Sequence, residues 1–89
     1  YVVSSNSESG LGRADIIIRD TRNSQAAVIE VKHANSMGEL ASLTDAALNQ
    51  INEKKYDVPL LGNYETVIHW GMAFFQKRCL AKFETVSSL

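Results

Sequence analysis

The sequence predicts an α/β domain: a mixed β-sheet with one helix covering one face. Three observations carry that prediction. Two β-branched runs, residues 14–19 and 26–33, stand a hairpin's distance apart. An amphipathic stretch comes next, with Leu40, Leu43, Ala47 and Ile51 at helical spacing. Two further strand-like runs, residues 66–75 and 79–86, come after it. With a short apolar piece at residues 1–4, the order is strand, strand, strand, helix, strand, strand.

In chain order, residues 1–4 form a short strand that pairs with the next one, and the polar, glycine-punctuated segment 5–13 reads as a hairpin turn or a longer loop. Gly10 and Gly12 flank Leu11, a spacing that also suits a phosphate cradle, but it lacks the lysine and glycine pattern of the known nucleotide loops, so a turn is the better reading. Alternation in the second strand puts Asp15, Ile17 and Arg19 on one face. Residues 20–25 form a polar connection. In the third strand Val28, Glu30 and Lys32 share a face, so Glu30 and Lys32 project side by side. Ser36 and Glu39 have the spacing of a capping box and mark the helix start. The helix runs about four turns, and Gln50 lies at the edge of its apolar stripe, where a surface or capping role is the usual one. Pro59 and Gly62 place the chain in a loop after Tyr56. In the fourth strand Val67, His69, Gly71 and Ala73 share one face, and Ile68, Trp70, Met72 and Phe74 the other. Residues 76–78 break the chain. In the last strand Leu80 and Phe83 depart from strict alternation, which predicts a bulge or twist.

The 89 residues suit one domain, 1–89, with an ordinary hydrophobic fraction of 45%. A single cysteine, Cys79, excludes an internal disulfide and a cysteine-rich zinc module and fits a reducing, cytoplasmic setting. No apolar run is long enough for a transmembrane helix. The chain opens on Tyr1 and an apolar dipeptide, which suggests an excerpt from a longer protein. A net charge of −1 gives no bulk support to a general polyanion binder. The local patches Lys54-Lys55 and Lys77-Arg78 with Lys82 are open to two readings, solvated surface or phosphate contact. His33 and His69 have no Cys or His at zinc-ligand spacing and read as strand residues with satisfied hydrogen bonds. Cys79 has no base at hand and is not a nucleophile candidate.

The chemistry concentrates where charges interrupt apolar runs: Asp15 at the head of one strand, Glu30 and Lys32 within the next. Carboxylate oxygens are hard ligands suited to Mg²⁺, which takes one or two carboxylates and keeps several waters. Asp15 and Glu30 would supply those, the Val31 carbonyl could add a third oxygen, and Lys32 would stand beside the ion to orient an attacking water or neutralise phosphoryl charge. A solvated sheet face or a structural ion pair accounts for the same pattern.

Three blocks in order, Ser5 through Asp15 to Ile18, Val28-Ile29-Glu30-Val31-Lys32, and Ala46 through Gln50 to Tyr56, closely resemble the PD-(D/E)XK nuclease superfamily. The nearest likeness is to the bacterial group often found C-terminal to an AAA-type ATPase-like domain. The resemblance implies a restriction-endonuclease-like fold and a metal-dependent nuclease using Mg²⁺, with Mn²⁺ as substitute, on DNA ahead of RNA. It implies that Asp15 and Glu30 bind the metal and that Asp15, Glu30, Lys32 and Gln50 are catalytic. Gln50 and Tyr56 match a Gln-x5-Tyr helix element, with Tyr56 near the substrate. Glu8 is implied as a further metal contact and Arg13 as a substrate contact. Ala14 stands where the superfamily's name puts Pro, a change that leaves Asp15 intact. The usual fold begins with a helix on the sheet, which this sequence lacks before its first strand. The alternative to an enzyme is a non-catalytic nuclease-like module that binds nucleic acid or a partner protein and regulates an attached ATPase.

Overall fold

The computed structural model describes residues 2–9 and 12–87, the side chains of 4–9, 12–14 and 87 excepted. Its elements are β1 (Val2–Ser9), β2 (Gly12–Asp20), β3 (Gln25–His33), a 3₁₀ turn (Met37–Glu39), α1 (Leu40–Lys54), β4 (Thr66–Phe75) and β5 (Arg78–Ser87). The strands form one sheet in the order β1-β2-β3-β4-β5. Neighbours are antiparallel except β3 and β4, whose parallel pairing is connected through α1. This is the mixed sheet with one covering helix that the sequence predicts, and it is a restriction-endonuclease-like architecture.

Alternation along each strand separates two faces. On the helix side stand Ile17, Ala26, Val28 and Val67, which with Ile51 of α1 and Tyr56, Leu60 and Tyr64 of the following connection form the buried core. On the other side the register lines up Ile16, Ile29, Trp70 and Phe83 across four strands. Trp70 and Phe83 stack there with ring centroids 4.9 Å apart. Among the described residues no helix covers this face, and none is long and apolar enough to cross a membrane.

Three local expectations change. The polar segment after residue 4 is not an open loop: β1 continues to Ser9 and pairs with β2 up to Ser9↔Gly12. Gly10 and Leu11 lie outside the described residues. The capping box does not form, because the chain enters the helix through a 3₁₀ turn. The Glu39 N–H bonds to the Ser36 carbonyl at 3.2 Å, and the Ser36 side chain makes no cap bond. The last strand has no bulge at Phe83, and its register with β4 is unbroken from Thr66↔Ser87 to Phe75↔Arg78. Leu80 and Phe83 point to opposite faces because both faces of the sheet carry apolar side chains, so alternation is intact.

The connection after α1 is a loop, as Pro59 and Gly62 predict, but a packed one. Lys55 takes a left-handed conformation (φ 55°), and the N–H groups of Lys55 and Tyr56 both close on the Ile51 carbonyl. The chain then winds through successive turns, Leu60 to Asp57 at 2.8 Å and Asn63 to Leu60 at 3.1 Å. Tyr56, Leu60 and Tyr64 recur every fourth residue and are all buried. A segment that Pro59 and Gly62 mark as a loop therefore contributes a wall of the core.

Where α1 crosses β4 it meets Gly71. A Cβ there would lie 2.6 Å from the Thr44 carbonyl oxygen and 3.0 Å from the Leu48 amide nitrogen. Only hydrogen fits between strand and helix backbone. This close approach lowers the following turns of α1, and Gln50 with them, toward the end of the sheet where Glu30 pairs with Gly71.

Candidate active site

The register assembles the charged groups. Ile17 pairs with Val28 on antiparallel strands, so Asp15 and Glu30, each two residues further toward the same end, stand on the helix face. The paired register of β2 and β3 extends as far as Ile16↔Ile29. Beyond it, the Val31 N–H donates to Asp15 Oδ2 at 2.8 Å. A backbone donor thus fixes the orientation of the Asp15 carboxylate.

Glu30 is 5% exposed. Its Oε2 accepts from Gln50 Nε2 at 2.7 Å and lies 3.6 Å from Lys32 Nζ. Its Oε1 is buried and has no hydrogen-bond partner. Burial first, and then the negative charge of Asp15, push the Glu30 carboxyl above its ordinary range, while Lys32 pulls it back. Lys32 keeps its side chain 29% exposed, reachable from solvent yet anchored.

Gln50 joins these groups. Its Oε1 accepts from Lys32 Nζ, and its Nε2 donates both to Glu30 Oε2 and to the Tyr56 hydroxyl, the latter at 3.0 Å. Only an amide can do this at one position, since it accepts at one end and donates twice at the other. A carboxylate could not donate to Glu30, and an ammonium could not accept from Lys32. The Gln50 that its helix stripe alone marks as a surface residue is the hub of the cluster.

Tyr56, expected near substrate, is 4% exposed and places its hydroxyl on Gln50. Glu8 and Arg13 face each other across the β1–β2 ladder, and their side chains lie outside the described residues. Lys82 is paired with Asp45 at 2.8 Å, which takes it out of the basic patch that Lys77 and Arg78 begin. Sequence reasoning passed over Gly71 and the partners of His69. A glycine within a strand was the available signal for the first.

Two inward acids on adjacent antiparallel strands, a lysine one pleat further along β3, and a helix amide bonded to Glu30 and Lys32 form a candidate site on a restriction-endonuclease-like sheet. A family model for the PD-(D/E)XK nuclease superfamily matches residues 1–84, and the chain belongs to that superfamily. No curated protein and no solved structure is a match to the sequence.

Nucleases of this superfamily generally use divalent metal ions, and the residues present fit one. The orphaned Glu30 Oε1 is an acceptor that lacks a partner inside a protein, a state that ordinarily costs about 1–3 kcal/mol. Among the described residues no group of three or more His, Cys, Asp or Glu side chains converges. Among the described residues the acids of the cluster are Asp15 and Glu30, and Mg²⁺ is commonly held by one or two carboxylates together with water.

The raised Glu30 carboxyl has a consequence for stability. Because folding favours the protonated form, the metal-free protein holds this contribution in full below the ordinary glutamate range and loses it as pH rises through the raised folded value. Glu30→Gln is expected to stabilise the metal-free protein at neutral pH by about 1 kcal/mol. That corresponds to roughly 4–8 °C in Tm for a domain of this size, and the gain should shrink in acid. Thermal melts over a pH series check it. Added Mg²⁺ or Mn²⁺ should raise the Tm of the parent protein and leave the variant unmoved.

Proposed function

We propose that this domain is a metal-dependent nuclease hydrolysing phosphodiester bonds, with DNA ahead of RNA as substrate. The observation that carries the proposal is the buried, unpartnered Glu30 Oε1 beside Asp15, with Lys32 bonded alongside through Gln50. Asp15 and Glu30 would hold Mg²⁺, or Mn²⁺ in its place, with the Val31 carbonyl as an added oxygen and Glu8 as a further contact. When bound, such an ion supplies Lewis-acid polarisation of a phosphoryl oxygen and neutralises developing charge.

The chain's own groups divide the remaining work. The Val31 N–H holds Asp15 in place. Lys32 Nζ orients the attacking water or neutralises charge on the phosphoryl group. Gln50 keeps Lys32 beside Glu30, with the Tyr56 hydroxyl bonded to the same amide. Arg13, and Lys77 and Arg78 on the exposed β4–β5 turn, are the candidates for contacting nucleic-acid phosphates. The resemblance to domains that follow an AAA-type ATPase-like domain makes control by such a domain in a longer chain part of the same reading.

Incubating the protein with labelled single-stranded DNA, duplex DNA and RNA, with Mg²⁺, Mn²⁺ or EDTA, tests the proposal. Metal-dependent product that disappears with Asp15→Asn is the expected result. Retention of nucleic acid with no product under any metal would replace the enzyme with a non-catalytic binding module.

A further inference from the structure

His69 lies on the helix face of β4, is 1% exposed, and takes no part in the cluster around Glu30. Its Nε2 is 2.8 Å from Asp57 Oδ2 and its Nδ1 is 3.1 Å from Glu84 Oε1. Carboxylate oxygens only accept, so the ring satisfies both partners when it carries a proton on each nitrogen. Glu84 has a second donor, Asn52 Nδ2 of α1 at 2.8 Å. Asp57 belongs to the connection, immediately after Tyr56, and its side chain is 14% exposed. The ring thus ties the connection to β4 and, through Glu84 and Asn52, to β5 and α1.

Asp57 is where this tie bears on the site. The residue before it, Tyr56, sends its hydroxyl to Gln50 Nε2, and Gln50 holds both Glu30 and Lys32. Lys55, just upstream, ends the helix in a left-handed turn. The Asp57–His69 contact is a side-chain anchor two residues beyond that turn.

We propose that His69 is a positioning residue for this site: by holding Asp57 it places the Tyr56 hydroxyl against Gln50, which in turn fixes Lys32 beside Glu30. The inference rests on the nuclease reading for its consequence in catalysis, while its geometric content stands apart from activity. A displacement of Tyr56 frees one Gln50 donor contact and lets the amide turn, which releases Lys32 Nζ from its acceptor. Misplacement of a catalytic group by an ångström is enough to cost one to two orders of magnitude in rate.

The test is a double-mutant cycle read on the Gln50 side-chain amide by NMR, with no substrate present. Asp57→Ala should shift both Gln50 amide proton resonances, and Asp57→Asn, which keeps an acceptor for His69 Nε2, should restore them. In a Tyr56→Phe background, where the link is already cut, Asp57→Ala should produce no further shift. His69→Gln serves as a second entry to the same cycle should the alanine variant unfold. Unmoved Gln50 resonances in Asp57→Ala, or equal shifts in the two backgrounds, would overturn the proposal. Where cleavage is measurable, kcat of Asp57→Ala should fall about tenfold with KM within about twofold. A protein that cleaves nothing but shows the predicted cycle would retire the nuclease reading and leave the positioning chain standing.

Discussion

Lys32→Ala is expected to reduce metal-dependent cleavage by at least about a hundredfold, the lower end of what a positioned acid–base or charge-neutralising group contributes. The geometry singles this lysine out. Its Nζ is bonded to Gln50 and lies 3.6 Å from Glu30 Oε2, while its side chain is 29% exposed and so open to substrate. Because the lysine is not part of the packed core, its removal should leave the fold and most of the metal affinity in place. One stability effect is signed in advance. Lys32 is the group that pulls the Glu30 carboxyl down, so without it the carboxyl rises further. The metal-free variant should then lose stability at neutral pH and recover it as pH falls through the Glu30 range. Lys32→Arg should not rescue cleavage, since a planar guanidinium neither fits the Gln50 acceptor in the same way nor gives up a proton. Single-turnover cleavage beside thermal melts at several pH values measures both effects. Parent-level cleavage by Lys32→Ala would remove Lys32 from the reaction.

How much of this was legible in the residues depends on which physical rule each one obeys. Asp15, Glu30 and Lys32 stood out because charges inside β-branched runs are costly unless partnered, and strand alternation gave their faces directly. That the two acids meet depends on register, Ile17 against Val28, which no single strand carries by itself. Gln50 was legible only by resemblance. Helical spacing puts it at the margin of the apolar stripe, and its importance comes from three partners that are distant in sequence. Pro59 and Gly62 marked the loop after α1, but as breaker signals they hid its packing, which the repeat of Tyr56, Leu60 and Tyr64 carries. Ser36 and Glu39 matched a capping box in spacing, but the backbone satisfied the Glu39 N–H first. For His69 the expectation of a satisfied strand histidine held, while its two carboxylate partners come from elements that only the tertiary fold brings together.

The largest effect on stability should come from Gly71→Ala, a single methyl group at the crossing of α1 and β4. The added Cβ would stand 2.6 Å from the Thr44 carbonyl oxygen, 2.9 Å from Leu48 Cγ and 3.0 Å from the Leu48 amide nitrogen. Leu48 Cγ can move aside, but the other two atoms are helix backbone and move only with the helix. Thr44 is further tied to the Leu40 carbonyl at 2.7 Å, so the local turn cannot deform alone. The helix must lift, opening the contacts of Ala47 and Ile51, both fully buried. Overpacking of this kind costs about 1–3 kcal/mol and more when backbone is displaced, against a total of about 5–15 kcal/mol for a typical domain. A Tm decrease of at least about 8 °C is the expected reading. Gly62→Ala is the control: Gly62 has φ +84° and nothing within 4 Å of its would-be Cβ, so it carries the backbone penalty alone, about 1 kcal/mol, remote from the cluster. The two variants also differ in function. Lifting α1 carries Gln50 away from Glu30 and Lys32, so Gly71→Ala should lose cleavage even at temperatures where it remains folded, whereas Gly62→Ala should keep it. Equal melting temperatures for Gly71→Ala and the parent would mean that the helix does not rest on this glycine, and the placement of Gln50 would then need another cause.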